Sequence, residues 1–182
     1  MRIHAYCLMS NHVHLVAEPL QENSLALAIG HAHGKYAQWF NARHHLSGHL
    51  WEGRFFSCAL DEAHLWAAVR YVEQNPARAG LAQQAQDWEW PDARAHCGLE
   101  QSTLLSAAGP FDGQIEDWAT WINSGLTPDA CARIRAATQT GRPCGDESFI
   151  QVFEDKLNRL LNPQKPGPKP MANDDSTPDM FL

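Results

Sequence analysis

No run of eighteen consecutive apolar residues occurs in this sequence, so no segment reads as a membrane span. The opening MRIHAYCLMSNHVH carries polar residues throughout, which makes it a poor secretory leader. Cysteine pairs are missing too. The five cysteines (Cys7, Cys58, Cys97, Cys131 and Cys144) are odd in number, scattered, and never spaced C-x-x-C. That pattern points to reduced thiols in a cytoplasm rather than to a disulfide framework. A basic excess is also lacking: 14 Lys and Arg stand against 21 Asp and Glu, a net charge of −7, which argues mildly against a polyanionic partner. What the chain does have is 44% hydrophobic residues, with seven Trp and seven Phe, enough for the core of one ordinary domain with or without a small appendage. It also has ten histidines, a high count.

Hydrophobic patterning lays out the elements. RIHAYCLM (2–9) and HVHLVAE (12–18) read as two strands joined by a tight turn at Ser10-Asn11, a β-hairpin. Residues 23–43 have helical spacing, with Asn23 or Ser24 as N-cap and Gly30 and Gly34 as weak points. HLWEGRFFSCAL (49–60) reads as a third strand. Asp61 then caps a helix that must stop near Asn75, because Pro76 follows. The chain reads as loop from there to about residue 100, with Trp88, Trp90 and Pro91 over the sheet. Residues 114–124, 128–139 and 146–161 read as helices. The proline-rich, polar stretch from residue 163 reads as a disordered tail.

Strand side chains alternate between faces, so His12 and His14 point the same way while Val13 points to the other. Two neutral imidazoles so placed can hold one divalent ion, although a lone H-x-H is more often a surface or hydrogen-bonded pair. The helix before Pro76 changes the balance. Tyr71 and Asn75, four residues apart, share one face. Asn75 is an oxygen donor suited to a hard cation, and Tyr71 is a phenol able to act as a nucleophile. Taken alone, Tyr71 is more often a half-buried packing tyrosine, and Asn75 a helix-ending residue before proline. Tyr36 lacks the Y-x-x-x-N-P context. His31 and His33 diverge by about 200° on a helix. His44, His45 and His49 fall in a loop, where solvent or DNA backbone is the better partner.

In order and spacing, AYCLMSNHVHLV, YAQWFNARHHLSGHLWEGRF and RYVEQNPARAG resemble the REP-associated tyrosine transposases of the single-tyrosine HUH superfamily. The likeness extends through WEWPDARAHCG to TGRPCGDESFIQVFEDKLNRLLNPQKPGPKP, nearly the whole chain to about residue 170. The resemblance implies an α+β fold, ferredoxin-like or RRM-like, with an antiparallel sheet. It places a catalytic core at 1–100, a helical C-terminal region at 101–162 and a tail at 163–182. It implies that His12, His14 and Asn75 bind Mg²⁺ or Mn²⁺ and that Tyr71 attacks a phosphodiester of hairpin-forming single-stranded DNA. The products would be a covalent 5′-phosphotyrosine and a free 3′-OH. Arg54, Arg78, Trp51 and Lys35 match positions able to hold DNA through phosphate contacts and base stacking. For Trp51 core packing is the stronger reading. A phenol of ordinary pKa near 10 is mostly protonated at neutral pH, and no residue in the sequence identifies itself as its base.

Two departures follow. Family members carry some forty to fifty residues, a strand and a helix, ahead of the position matching Met1. The strand bearing His12 and His14 is therefore expected to have an open edge, which invites a strand from another chain. WPDARAH stands where two serines usually follow the tryptophan, a change expected to alter a local turn. The leading expectation is a cytoplasmic, nucleoid-associated transposase-like nuclease, monomer or homodimer. The runner-up is an inactive relic or a noncatalytic DNA-binding protein.

Overall fold

The computed structural model describes residues 1–161 except 91, 107, 108 and 112; Pro91 and the expected tail from 163 lie outside the described residues. Strand β1 (Arg2–Leu8) and strand β2 (Val13–Glu18) form the antiparallel hairpin. The Met9 amide donates to the His12 carbonyl at 2.9 Å to close the turn. A bulge at His4 shifts the register, after which Ala5 faces Val16 and Cys7 faces His14. Helix α1 (Ser24–His44) forms despite its two glycines and ends at His45 in the left-handed region, φ 54°. Of its residues only Ile29 is buried, and Leu27 and Trp39 face solvent.

Helix α2 (Glu62–Glu73) covers the hairpin. As anticipated, Asp61 caps it, its carboxylate accepting from the His64 amide at 2.8 Å. Ala5, Cys7 and Val16 of the sheet pack with Ala68, Val69 and Val72 of the helix in one apolar cluster, which also takes in Phe111, Trp118, Ile122 and Ile134. Burial, together with the nearby Asp92 and Glu73 charges, pushes the Cys7 thiol up to about 12.

The chain then departs from the sequence reading in three places. Residues 49–60 form no strand; only Leu60 makes an isolated parallel bridge, to Cys144. Adjacent Phe55 and Phe56 are both exposed, so the segment lacks the alternation that buries one face of a strand. The sheet among the described residues therefore has two strands. Pro76 ends α2 as expected, but a short helix follows where loop was expected. With no N–H to continue the ladder it breaks α2 at Gln74, and α3 (Asn75–Arg78) starts at once with Pro76 in its first turn. The presumed loop up to residue 100 holds a 3₁₀ turn (Ala85–Asp87) and helix α4 (Ala93–His96).

The free side of β1 is closed by that segment. The Leu8 amide donates to the Trp90 carbonyl at 3.2 Å, and Asp92 exchanges bonds with Tyr6. Trp88 donates from Nε1 to the Leu8 carbonyl at 3.0 Å, while Trp90 is exposed. Asp92, in the WPDARAH departure, thus fastens a sheet edge. No strand pairs with the other edge of β2 among the described residues. Helices α5 (Trp118–Asn123), α6 (Pro128–Thr140) and α7 (Glu147–Leu157) complete the chain, α5 starting later than the expected 114.

Candidate active site

His12 just ahead of β2, His14 on β2, Tyr71 on α2 and Asn75 at the start of α3 are linked by contacts with one another and with Arg78. His12 and His14 lie with their Nε2 atoms 3.1 Å apart and their rings edge to face. His12 is fixed from behind by Asn11, whose Oδ1 lies 2.7 Å from Nδ1. The His14 ring meets the Tyr71 ring at 6.0 Å between centroids, planes at 88°. Tyr71 and Asn75 are each 8% exposed, both on the helical path that covers the sheet. Burial, then His12, then Arg78 lower the His14 pKa to about 4, so its imidazole is neutral at physiological pH.

Arg78, one of the expected DNA-contacting residues, is committed to the protein. Its guanidinium carbon lies 3.9 Å from the Tyr71 ring centroid. Nη1 donates to the Tyr71 carbonyl at 3.2 Å, and Nη2 donates to Asn75 Oδ1. A second cation, absent from the sequence reading, reaches the phenol from α6: Arg135 Nε donates to Tyr71 Oη at 3.3 Å. That bond holds the Arg135 pKa above its usual value.

The donor set suits a divalent cation. The Nε2 separation is what two neighbouring ligands of one ion adopt with bonds of about 2.1 Å. The Asn75 carbonyl oxygen keeps a second lone pair beside its Arg78 bond, and the buried Asn75 Nδ2 has no partner. That lone pair, and not the unpartnered Nδ2 donor, is what a cation would take.

The other expected DNA-contacting residues gather elsewhere. Trp51 stacks on His33, centroids 4.1 Å apart, and donates to the His33 carbonyl at 3.0 Å, which makes it a brace between α1 and the following loop. Lys35 is exposed on α1. Arg54 is exposed beside a cavity of about 740 Å³ lined by Ala26, Glu52, Phe55 and Phe56.

A second cluster, also unforeseen, is capable of coordinating a divalent metal: Glu73, Asp92 and His96, with ligand atoms all within 4.8 Å of one another. Glu73 and Asp92 are fully buried. Glu73 accepts from Trp118 Nε1 at 2.8 Å and lies 2.6 Å from His96 Nδ1, so both its oxygens are engaged. Asp92 Oδ2 accepts from the Tyr6 amide at 2.6 Å, while Oδ1 has no partner. Burial and the Glu73 charge raise the Asp92 pKa well above the ordinary carboxylate value. The cluster ties β1, α2, α4 and α5 together whether or not an ion joins it.

Fold and site together define an α+β domain in which a hairpin carrying His12 and His14 lies against a tyrosine-bearing helix. Residues 1–75 match the family described as "Transposase IS200 like", and this segment is an IS200-like single-tyrosine HUH transposase domain. The match ends at Asn75, so Arg78, Arg135 and the Asp92–His96 pair lie beyond it. Neither a curated protein nor a solved structure matches the chain.

Proposed function

We propose that this chain cleaves and rejoins single-stranded, hairpin-forming DNA through a covalent 5′-phosphotyrosine at Tyr71. The observation that carries the reading is the convergence of His14, Tyr71, Asn75 and two arginines at one place, inside and beside a segment of transposase family. His12, His14 and Asn75 would hold Mg²⁺ or Mn²⁺, which supplies Lewis-acid polarisation of a phosphate oxygen. The chain's own residues do the rest. Arg78 fixes the Tyr71 ring and Asn75. Arg54, Lys35 and Trp51 lie on α1 and the loop after it, where the exposed cations can contact DNA outside the chemical centre.

This reading carries the fold with it: a ferredoxin-like core over residues 1–100, of which the hairpin and α2 form part, and a helical region at 101–162. It places the protein in the cytoplasm with the nucleoid, as monomer or homodimer; among the described residues no helix is long and apolar enough to cross a membrane. Incubation of a hairpin oligonucleotide with protein and Mn²⁺ tests it, with a covalent adduct expected from the native chain and none from Tyr71→Phe.

The commitment of Asn75 Oδ1 to Arg78 favours a second reading, a protein that holds hairpin DNA without cutting it. Hairpin retention with no adduct in the same assay is its signature.

A further inference from the structure

Arg78 and Arg135 treat Tyr71 differently. Arg78 spends its guanidinium on the ring face, the Tyr71 carbonyl and the Asn75 amide, all inside the fold. Arg135 spends one N–H, on the phenol oxygen itself. Its two terminal nitrogens have no partner among the described residues, and its side chain is exposed. Helix α6 holds it there: Thr127 caps the helix, Ile134 and Ala137 bury its inner face, and it packs against α2. Arg135 follows Ile134 directly, so the anchored side of the helix sets how far the guanidinium stands from Tyr71.

We propose that Arg135 is a catalytic residue of the strand-cleavage reaction, holding the Tyr71 oxygen through Nε and the attacked phosphate through its terminal nitrogens. The inference rests on the nuclease reading and assigns that site a residue from outside the family-matched segment. A guanidinium does not give up its proton at usable pH, so Arg135 is no base. It acts by charge. In the step, the Tyr71 oxygen forms a bond to phosphorus while the bond from phosphorus to the 3′ oxygen breaks. The phenol proton passes to water, and the departing 3′ oxygen takes one up, so the exchange is balanced. Negative charge grows on the phosphoryl oxygens between attacker and leaving group. A planar fork reaching both the nucleophile and a phosphate oxygen stabilises that charge and aligns the two reactants. The alternative is a brace between α2 and α6 with no share in the chemistry.

The test compares native protein, Arg135→Ala, Arg135→Lys and Tyr71→Phe with a hairpin oligonucleotide and Mn²⁺. It reads adduct formation at saturating DNA, hairpin affinity and thermal midpoint. Loss of one donor at a developing oxyanion costs about 10²-fold or more in rate. Arg135→Ala is expected to slow the saturated rate by about that factor, with affinity falling far less and the midpoint unchanged. Lysine or added guanidinium ion is expected to restore part of the loss. An undiminished rate in Arg135→Ala overturns the proposal while leaving the nuclease reading intact. So does a loss that neither lysine nor guanidinium restores and that tracks a lowered midpoint. Absence of adduct from the native chain overturns the nuclease reading and this role with it.

Discussion

The imidazole of His14 and the phenol ring of Tyr71 meet at right angles, 6.0 Å between centroids and 88° between planes, although 57 positions separate them. The contact exists because β2 turns His14 inward opposite Cys7, and α2 lies across that face of the hairpin. It fixes where the strand's two nitrogens stand relative to the phenol. It also places His14 in surroundings that disfavour its charged form.

That has a consequence for pH. Burial, His12 and Arg78 lower the His14 pKa from 6.5 to about 4, so between those values the unfolded chain takes up a proton that the folded chain refuses. Stability contributed by neutral His14 is therefore present above the unfolded value and lost as pH falls through the window. After solvent screening the effect amounts to about 1–2 kcal/mol. Thermal midpoints of EDTA-treated protein are expected to drop between pH 6.5 and pH 4, and His14→Gln to flatten that slope. An unchanged slope in the variant would locate the titration elsewhere.

Asp61 is a junction as well as a cap. It accepts from the His64 amide at 2.8 Å, from the His64 ring at 2.7 Å and from the Asp146 amide at 2.9 Å. Burial opposes its charge, but these bonds outweigh burial and hold its pKa below the ordinary carboxylate value. Asp61→Ala is expected to cost about 1–2 kcal/mol in chemical denaturation at neutral pH. The loss should shrink as pH falls through the depressed folded value, where native Asp61 also loses its charge. A constant difference at all pH values would contradict the carboxylate's role.

Glu73 and Asp92 are two buried acids that share one histidine. Glu73→Ala strips the acceptor from Trp118 and His96 and is expected to destabilise by about 3 kcal/mol or more. Asp92→Asn should do the reverse at neutral pH. With its folded pKa raised, Asp92 costs stability as pH climbs above its unfolded value, and an amide removes that cost while still accepting from the Tyr6 amide. Denaturation with EDTA and again with Mn²⁺ checks both. Stabilisation of native protein by the ion, lost in Asp92→Asn but kept in His12→Ala, would mean that this cluster is the stronger metal site.

The sequence declared its elements where local chemistry was strong. Alternation with a polar turn marked the hairpin, and Asp61 marked the start of α2. Spacing alone put Tyr71 and Asn75 on a shared path, even though the helix breaks between them at Gln74. No strand forms at the expected 49–60 because its aromatic residues do not alternate: Phe55 and Phe56 sit side by side and exposed. The acid–histidine cluster was illegible because Trp118, 45 positions beyond Glu73, helps to assemble it. Arg135 was hidden for the same reason. Its one legible signal was a cation next to the buried face of an amphipathic helix, and nothing in the spacing tied that helix to Tyr71.

The most direct measurement is denaturing electrophoresis of the native chain and Tyr71→Phe after incubation with a 5′-labelled and, separately, a 3′-labelled REP-type hairpin and Mn²⁺. A label-bearing protein band is expected with the 3′-labelled strand, a free 3′-OH on the 5′-labelled fragment, and neither product from Tyr71→Phe. A band that survives in Tyr71→Phe, or none from the native chain under conditions where it retains the hairpin, would contradict a covalent 5′-phosphotyrosine at Tyr71.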